Sequence, residues 1–167
     1  RNDESTWVPV ESPNGSAWVE ARYLTETVDL EFFLEDDRPV DMLRQLATDL
    51  RSGKSPLGLV SERGFSVALT NAPKLVSRSV LVDALSERPG TTEGLQLAET
   101  VFGPLAAALE AAPDLDSRSS HSQTALIPVE LWNFQYLTVR APDHQPWLVY
   151  FEYVNSKPKI VAVGVDA

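Results

Sequence analysis

His121 and His144 are the chain's two histidines, the side chains best suited to exchanging protons or binding metal near neutral pH. His121 lies in Ser119-Ser120-His121-Ser122, a set of serines beside a base. A serine nucleophile needs a strained turn of the Gly-x-Ser-x-Gly kind to hold it. That turn is missing here, so the segment reads as a solvated loop. His144 sits in Pro142-Asp143-His144-Gln145-Pro146, a proline-bracketed turn between two strand-like runs. Local spacing gives it no second metal ligand and no acid–base partner. Glu152 is placed differently. Strand alternation over Trp147–Val154 puts Trp147, Val149, Phe151 and Tyr153 on one face, with Leu148, Tyr150, Glu152 and Val154 on the other. Trp132, Phe134 and Tyr136 alternate in the same way just upstream. Core packing is the ordinary use of such faces; an aromatic-lined cleft with Glu152 as its charged side chain is the alternative. The candidate ligand-binding residues are therefore Trp132, Tyr136, His144, Tyr150 and Glu152, with His144 or Glu152 as acid or base if the site is an enzyme's.

Other chemistry-bearing groups have simpler readings. Glu35-Asp36-Asp37 precedes a helical pattern, where acids complement the positive end of the helix dipole. Asp114 and Asp116 have the spacing of calcium ligands but lack the glycine and the distal glutamate of a calcium loop. Gly53-Lys54-Ser55 echoes the end of a phosphate loop, yet no glycine stands at the required upstream position, and a helix rather than a strand precedes it. With no cysteine in the chain, a disulfide framework, a thiolate zinc site and a cysteine nucleophile are excluded. No catalytic residue, metal site or cofactor is assigned.

These residues need elements to hold them. Val40, Leu43, Ala47 and Leu50 recur at helical spacing, with Leu46 widening the stripe. Pro39 suits a helix start and Gly53 a stop, predicting a helix over 39–52. Phe65–Leu69 alternates as a strand, 74–77 can pair back on it, and Val80, Leu81, Ala84 and Leu85 suggest a short helix. Leu95, Ala98, Phe102, Leu105 and Leu109 predict a helix over 95–111, kinked or split at Gly103-Pro104. Three strand-like runs close the chain: 131–139, 147–154 and 159–165. A four-residue loop at 155–158 would pair Phe151 with Ala162 and Glu152 with Val161. Small Ala162 and Gly164 would then leave room for a packed helix. Helices in the middle and strands at the end predict an α+β fold, a C-terminal antiparallel sheet covered by the 39–52 and 95–111 helices.

At the other end, Trp7-Val8-Pro9-Val10 and Ala17-Trp18-Val19-Glu20 flank the turn signal Ser12-Pro13-Asn14-Gly15, which predicts a β-hairpin carrying both tryptophans. The run Trp18-Val19-Glu20-Ala21-Arg22-Tyr23-Leu24-Thr25, with the strand and Pro13-Asn14-Gly15 before it, resembles the closing half of a bacterial SH3 (SH3b) domain. Ser16-Ala17 stands where that family usually has a glycine before the second tryptophan. The resemblance covers about 20 residues, without the module's upstream strands. It implies an exported, extracytoplasmic setting (secreted or lipid-anchored) and a binding role toward peptidoglycan or an envelope protein. The remainder loosely resembles the uncharacterised region that follows SH3b modules in predicted bacterial secreted proteins and lipoproteins. The residues that carry this are Leu43 through Val60, Ser61-Glu62-Arg63-Gly64, Pro128-Val129-Glu130-Leu131, Asn133-Phe134, Trp147-Leu148-Val149 and Phe151-Glu152-Tyr153. No activity comes with that second resemblance.

The expected organisation is a partial SH3b-like segment over 1–27 and an α+β domain over 28–167. Trp7, Trp18 and Tyr23 are expected to be structural anchors, with a ligand-stacking platform as the alternative. The chain begins at Arg1, which suggests a trimmed or processed product. A net charge of -10 repels phosphate backbones and anionic lipid, which argues against nucleic-acid and membrane-surface roles. No apolar run reaches the roughly 18 residues of a membrane span. The leading functional expectation is a non-catalytic cell-envelope binding or adaptor protein. An enzyme or small-ligand binder with an aromatic-lined pocket, and an acidic inhibitor or immunity-type protein for a basic partner, are the alternatives.

Overall fold

The fold is described from a computed structural model, over residues 7–20, 28–69, 73–115 and 134–165. Strands β1 (Trp7–Ser12) and β2 (Gly15–Glu20) form the predicted antiparallel hairpin, with Gly15 at positive φ where the turn enters β2. Two helices follow. Asp29 caps α1 (Leu30–Glu35) by accepting from the Phe32 N–H at 2.8 Å. The second, α2 (Arg38–Ser52), starts with proline in its first turn and ends on left-handed Gly53, as its sequence predicts. It buries Val40, Leu43 and Leu46.

Next come a 3-10 turn (Pro56–Leu59), β3 (Phe65–Ala68), β4 (Lys74–Val76) and α3 (Arg78–Ala84). The predicted 95–111 helix neither splits nor stops at Gly103-Pro104. Helix α4 (Thr92–Leu97) runs through a π turn (Ala98–Phe102) into α5 (Gly103–Ala111). The Gly103 N–H donates to Ala98 O, five residues back. Proline lacks an N–H and its ring crowds the carbonyl four residues before it, so a widened turn lets the helix continue past Pro104.

The chain closes with β5 (Gln135–Val139), β6 (Trp147–Val154) and β7 (Lys157–Val165), an antiparallel meander. The whole sheet has the order β4-β3-β7-β6-β5. Its β3–β7 pair is parallel, so the sheet is mixed, and the α+β class stands.

The register of the last hairpin differs from the expected one. Asn155 and Ser156 both take positive φ, 50° and 60°, making a two-residue turn rather than a four-residue loop. Phe151 therefore faces Ile160, and Glu152 faces Lys159; a bulge at Val161 then sets Tyr150 opposite Ala162.

The two faces of β6 separate as predicted. Trp147, Val149, Phe151 and Tyr153 enter the main core with Phe33, Leu43, Leu105 and Leu109 from the helices. Leu148 and Tyr150 join Ala68, Tyr136 and Ala162 in a smaller buried cluster. Among the described residues, no helix packs on the cluster that Ala162 belongs to. A Cβ on Gly164 would lie 3.0 Å from Ala68 O and 3.6 Å from the Tyr150 ring, so the missing side chain lets β3 and Tyr150 close in.

Asp36 does more than complement a helix dipole. Its carboxylate accepts from the Arg38 guanidinium at 2.7 and 2.9 Å and from the Tyr153 hydroxyl at 2.7 Å, while Arg38 also donates to Ser156 O at 2.8 Å. The α1–α2 junction is thereby tied to the β6–β7 hairpin. Burial alone would raise the Asp36 pKa; the bonds from Arg38 and Tyr153 outweigh it and hold the carboxyl below its ordinary range. This stabilisation is present above the unfolded carboxylate value of about 3.9 and is lost as pH falls through the lowered folded value. Asp36→Asn should therefore flatten the fall of thermal midpoint as pH drops below about 4. Parallel curves for variant and wild type would show that the tie does not stabilise the fold.

Candidate functional site

A cleft of about 450 Å3 lies between the β4 side of the sheet and the helices that follow it. Val67 of β3 and the following Leu69 contribute to it, as do Lys74, Leu75 and Val76 of β4 with Ser77, and Val80 of α3. The helical wall carries Glu93, Gln96 and Leu97 of α4 and Thr100 and Val101 of the π turn. A smaller depression of about 240 Å3 adjoins it, sharing Leu69 and Thr100 and adding Pro104, His144, Gln145, Trp147 and Val165. The smaller one includes Leu69, just after β3, and Val165, the last residue of β7, so it lies where this parallel pair ends, a place in a sheet where ligand sites are often built.

Local interactions fix the helical wall. Asp83 accepts from the Thr91 hydroxyl at 2.6 Å, the Gly90 N–H at 2.8 Å and the Thr91 N–H at 3.0 Å. These bonds, led by the Thr91 hydroxyl, lower the Asp83 pKa. The Thr91 hydroxyl in turn accepts from the Gly94 N–H at 3.0 Å as the cap of α4. A Cβ at Gly94 would overlap the Asp83 carboxylate, so glycine is what allows the loop to be pinned there. The π turn then brings Thr100 and Val101 to the cleft; such turns are frequent at functional sites.

Among the described candidate ligand-binding residues, only His144 reaches this region. It is exposed on its turn, where its backbone N–H donates to Ala141 O at 3.2 Å. Tyr136 and Tyr150 do not line a cleft. They face each other across β5 and β6, with ring centroids 5.5 Å apart and only 4% and 1% of their surface exposed. The aromatic face is packed core there, because cross-strand neighbours fill the space that a ligand would need. Trp132, Tyr23, His121 and Asp116 lie outside the described residues.

Glu152 belongs to a separate buried cluster. Ser61 Oγ donates to Glu152 Oε1, and Arg63 Nη1 donates to Oε2 at 3.4 Å. The Arg63 N–H donates to Ser61 Oγ at 3.1 Å, and Arg78 reaches Ser61 O at 3.3 Å. A serine hydroxyl on a carboxylate has the form of a nucleophile and its base. Here both side chains are almost fully buried, and neither lines the two cavities. The cluster acts as a clasp, fastening the turn before β3 onto the sheet.

The hairpin holds the two tryptophans expected to be anchors. Trp7 and Trp18 are 53% and 66% exposed, so burial does not make them anchors. Because Trp7 pairs with Glu20 and Pro9 with Trp18, the two indoles are diagonal neighbours on one face, with Pro9 directly opposite Trp18. Val10 and Val19, on the other face, are only partly exposed. The sequence signal for the exposed arrangement was the hairpin register itself.

Comparison with family models, curated proteins and solved structures gives no match. Among the described residues, no group of three or more His, Asp or Glu gathers as a metal site would require. No helix among them is long and apolar enough to cross a membrane.

Proposed function

We propose that the protein is a non-catalytic binding or adaptor protein of the bacterial cell envelope, which presents the indole face of its hairpin to peptidoglycan or to an envelope protein. One observation carries the reading: Trp7, Pro9 and Trp18 lie exposed on a single face. Indoles combine a large, rigid apolar surface with an N–H donor, and they are enriched where proteins bind partners. Two of them side by side, held by a strand register, make a platform on which a sugar ring or a proline can stack. The envelope setting comes from the resemblance of Trp18 to Thr25 to the closing half of an SH3b module.

Co-sedimentation with purified peptidoglycan sacculi tests this. Wild-type protein should pellet with the sacculi, and the double variant Trp7→Ala, Trp18→Ala should bind at least about tenfold more weakly, as expected for aromatic hot spots. Its stability in chemical denaturation should change by no more than about 0.5 kcal/mol per site, since exposed residues cost little to truncate. Loss of stability would return the tryptophans to an anchoring role. Binding that ignores the indoles and vanishes at high salt would favour the acidic-inhibitor reading.

A further inference from the structure

We propose that the 450 Å3 cleft takes an extended peptide segment of a partner protein, which adds as a strand to the edge of β4 and sets an acidic side chain beside Lys74. Among the described residues, β4 ends the sheet, with β3 as its strand neighbour. Lys74, Leu75, Val76 and Ser77, four successive residues, all line the cleft. Side chains alternate between the faces of a strand, so successive lining residues mean that the cleft runs along the strand's edge. An open edge offers backbone N–H and C=O groups, which an extended peptide matches.

The opposite wall fits the same occupant. Glu93, Gln96, Leu97, Thr100 and Val101 fall at i, i+3, i+4, i+7 and i+8, one face of the helix across its π turn. Leu97, half-buried, supplies an apolar surface for a side chain of the peptide, with buried Val101 as the floor behind it, and Gln96 supplies both a donor and an acceptor. Charge selects the occupant further. Lys74 is the one basic side chain lining the cleft and Glu93 the one acidic side chain, and among the described residues no ion pair includes Lys74. An acidic side chain at that position is therefore complementary, and a basic one is not. Leu75, 70% exposed, extends the apolar surface beyond the cleft.

A fluorescein-labelled hexapeptide of alternating valine and aspartate, titrated by polarisation into the purified chain, gives the test. Saturable binding is expected, weakened at least about tenfold when alternate peptide amides are N-methylated, because strand addition runs through those N–H groups. Lys74→Glu should weaken the peptide by a similar factor and turn the preference toward alternating valine and lysine. Thr100→Arg should obstruct the groove from its other wall while leaving the circular dichroism unchanged. Absent binding, binding that survives N-methylation, or a cleft that takes octanoate and neither peptide would overturn the proposal. It does not depend on the indole face: failure here leaves sacculus binding as it was, and failure there leaves this titration intact.

Discussion

Replacing Glu152 with alanine is expected to destabilise the fold by about 3 kcal/mol, although the residue lines neither cavity. Its carboxylate is 3% exposed and holds the Ser61 hydroxyl and the Arg63 guanidinium. Removing one member of a buried charged pair strands the other in a poorly solvated place. Arg63 is about one-third exposed, so water can recover part of its hydration, which keeps the effect at the low end for such losses. Glu152→Gln retains the bond to Ser61 and should cost nearer 1 kcal/mol. Urea denaturation of the two variants reads the difference. Equal and small effects would mean that the clasp contributes nothing to stability.

Its neighbour in sequence acts through the opposite face. Phe151→Ala should cost about 3–5 kcal/mol, the range for deleting a buried aromatic ring. Phe151 is 1% exposed and lies 5.9 Å, centroid to centroid, from Phe33 of α1. The loss therefore opens a cavity where the short α1 helix meets the sheet. In thermal denaturation this should appear as a drop on the order of 10 °C for a chain of this size. A change of only a degree or two would place α1 off the sheet. Adjacent residues of β6 thus matter for unrelated reasons, one by polar clasping and one by packing.

Much of this arrangement was legible in the sequence because it is local. The stripe Val40, Leu43 and Leu46, with Pro39 and Gly53 at its ends, defines α2 almost to the residue. The alternation over Trp147–Val154 defines both faces of β6. What the sequence concealed depends on distant partners. Glu152 meets Ser61 across 91 positions, and Tyr153 meets Asp36 across 117. Nothing in Phe65–Ala68 announces a parallel pairing with β7. The cleft was hidden for the same reason, since β4, α3 and the π turn each supply part of its wall. The register of the β6–β7 hairpin was half visible. Asn155 suits positive φ, whereas Ser156 gives little sign that it shares it. For the hairpin tryptophans, residue type alone does not separate an anchor from a platform, and their exposure is what supports the platform.

The central claim is that the indole face of the hairpin binds envelope material, and the indole N–H signals of Trp7 and Trp18 report on it most directly. In nitrogen–proton correlation spectra, soluble peptidoglycan fragments should shift both signals in a saturable way and leave that of Trp147, which is 3% exposed in the core, unmoved. Shifts confined to Trp147, or no shifts at the hairpin at concentrations where the fragments bind the protein, would contradict the account.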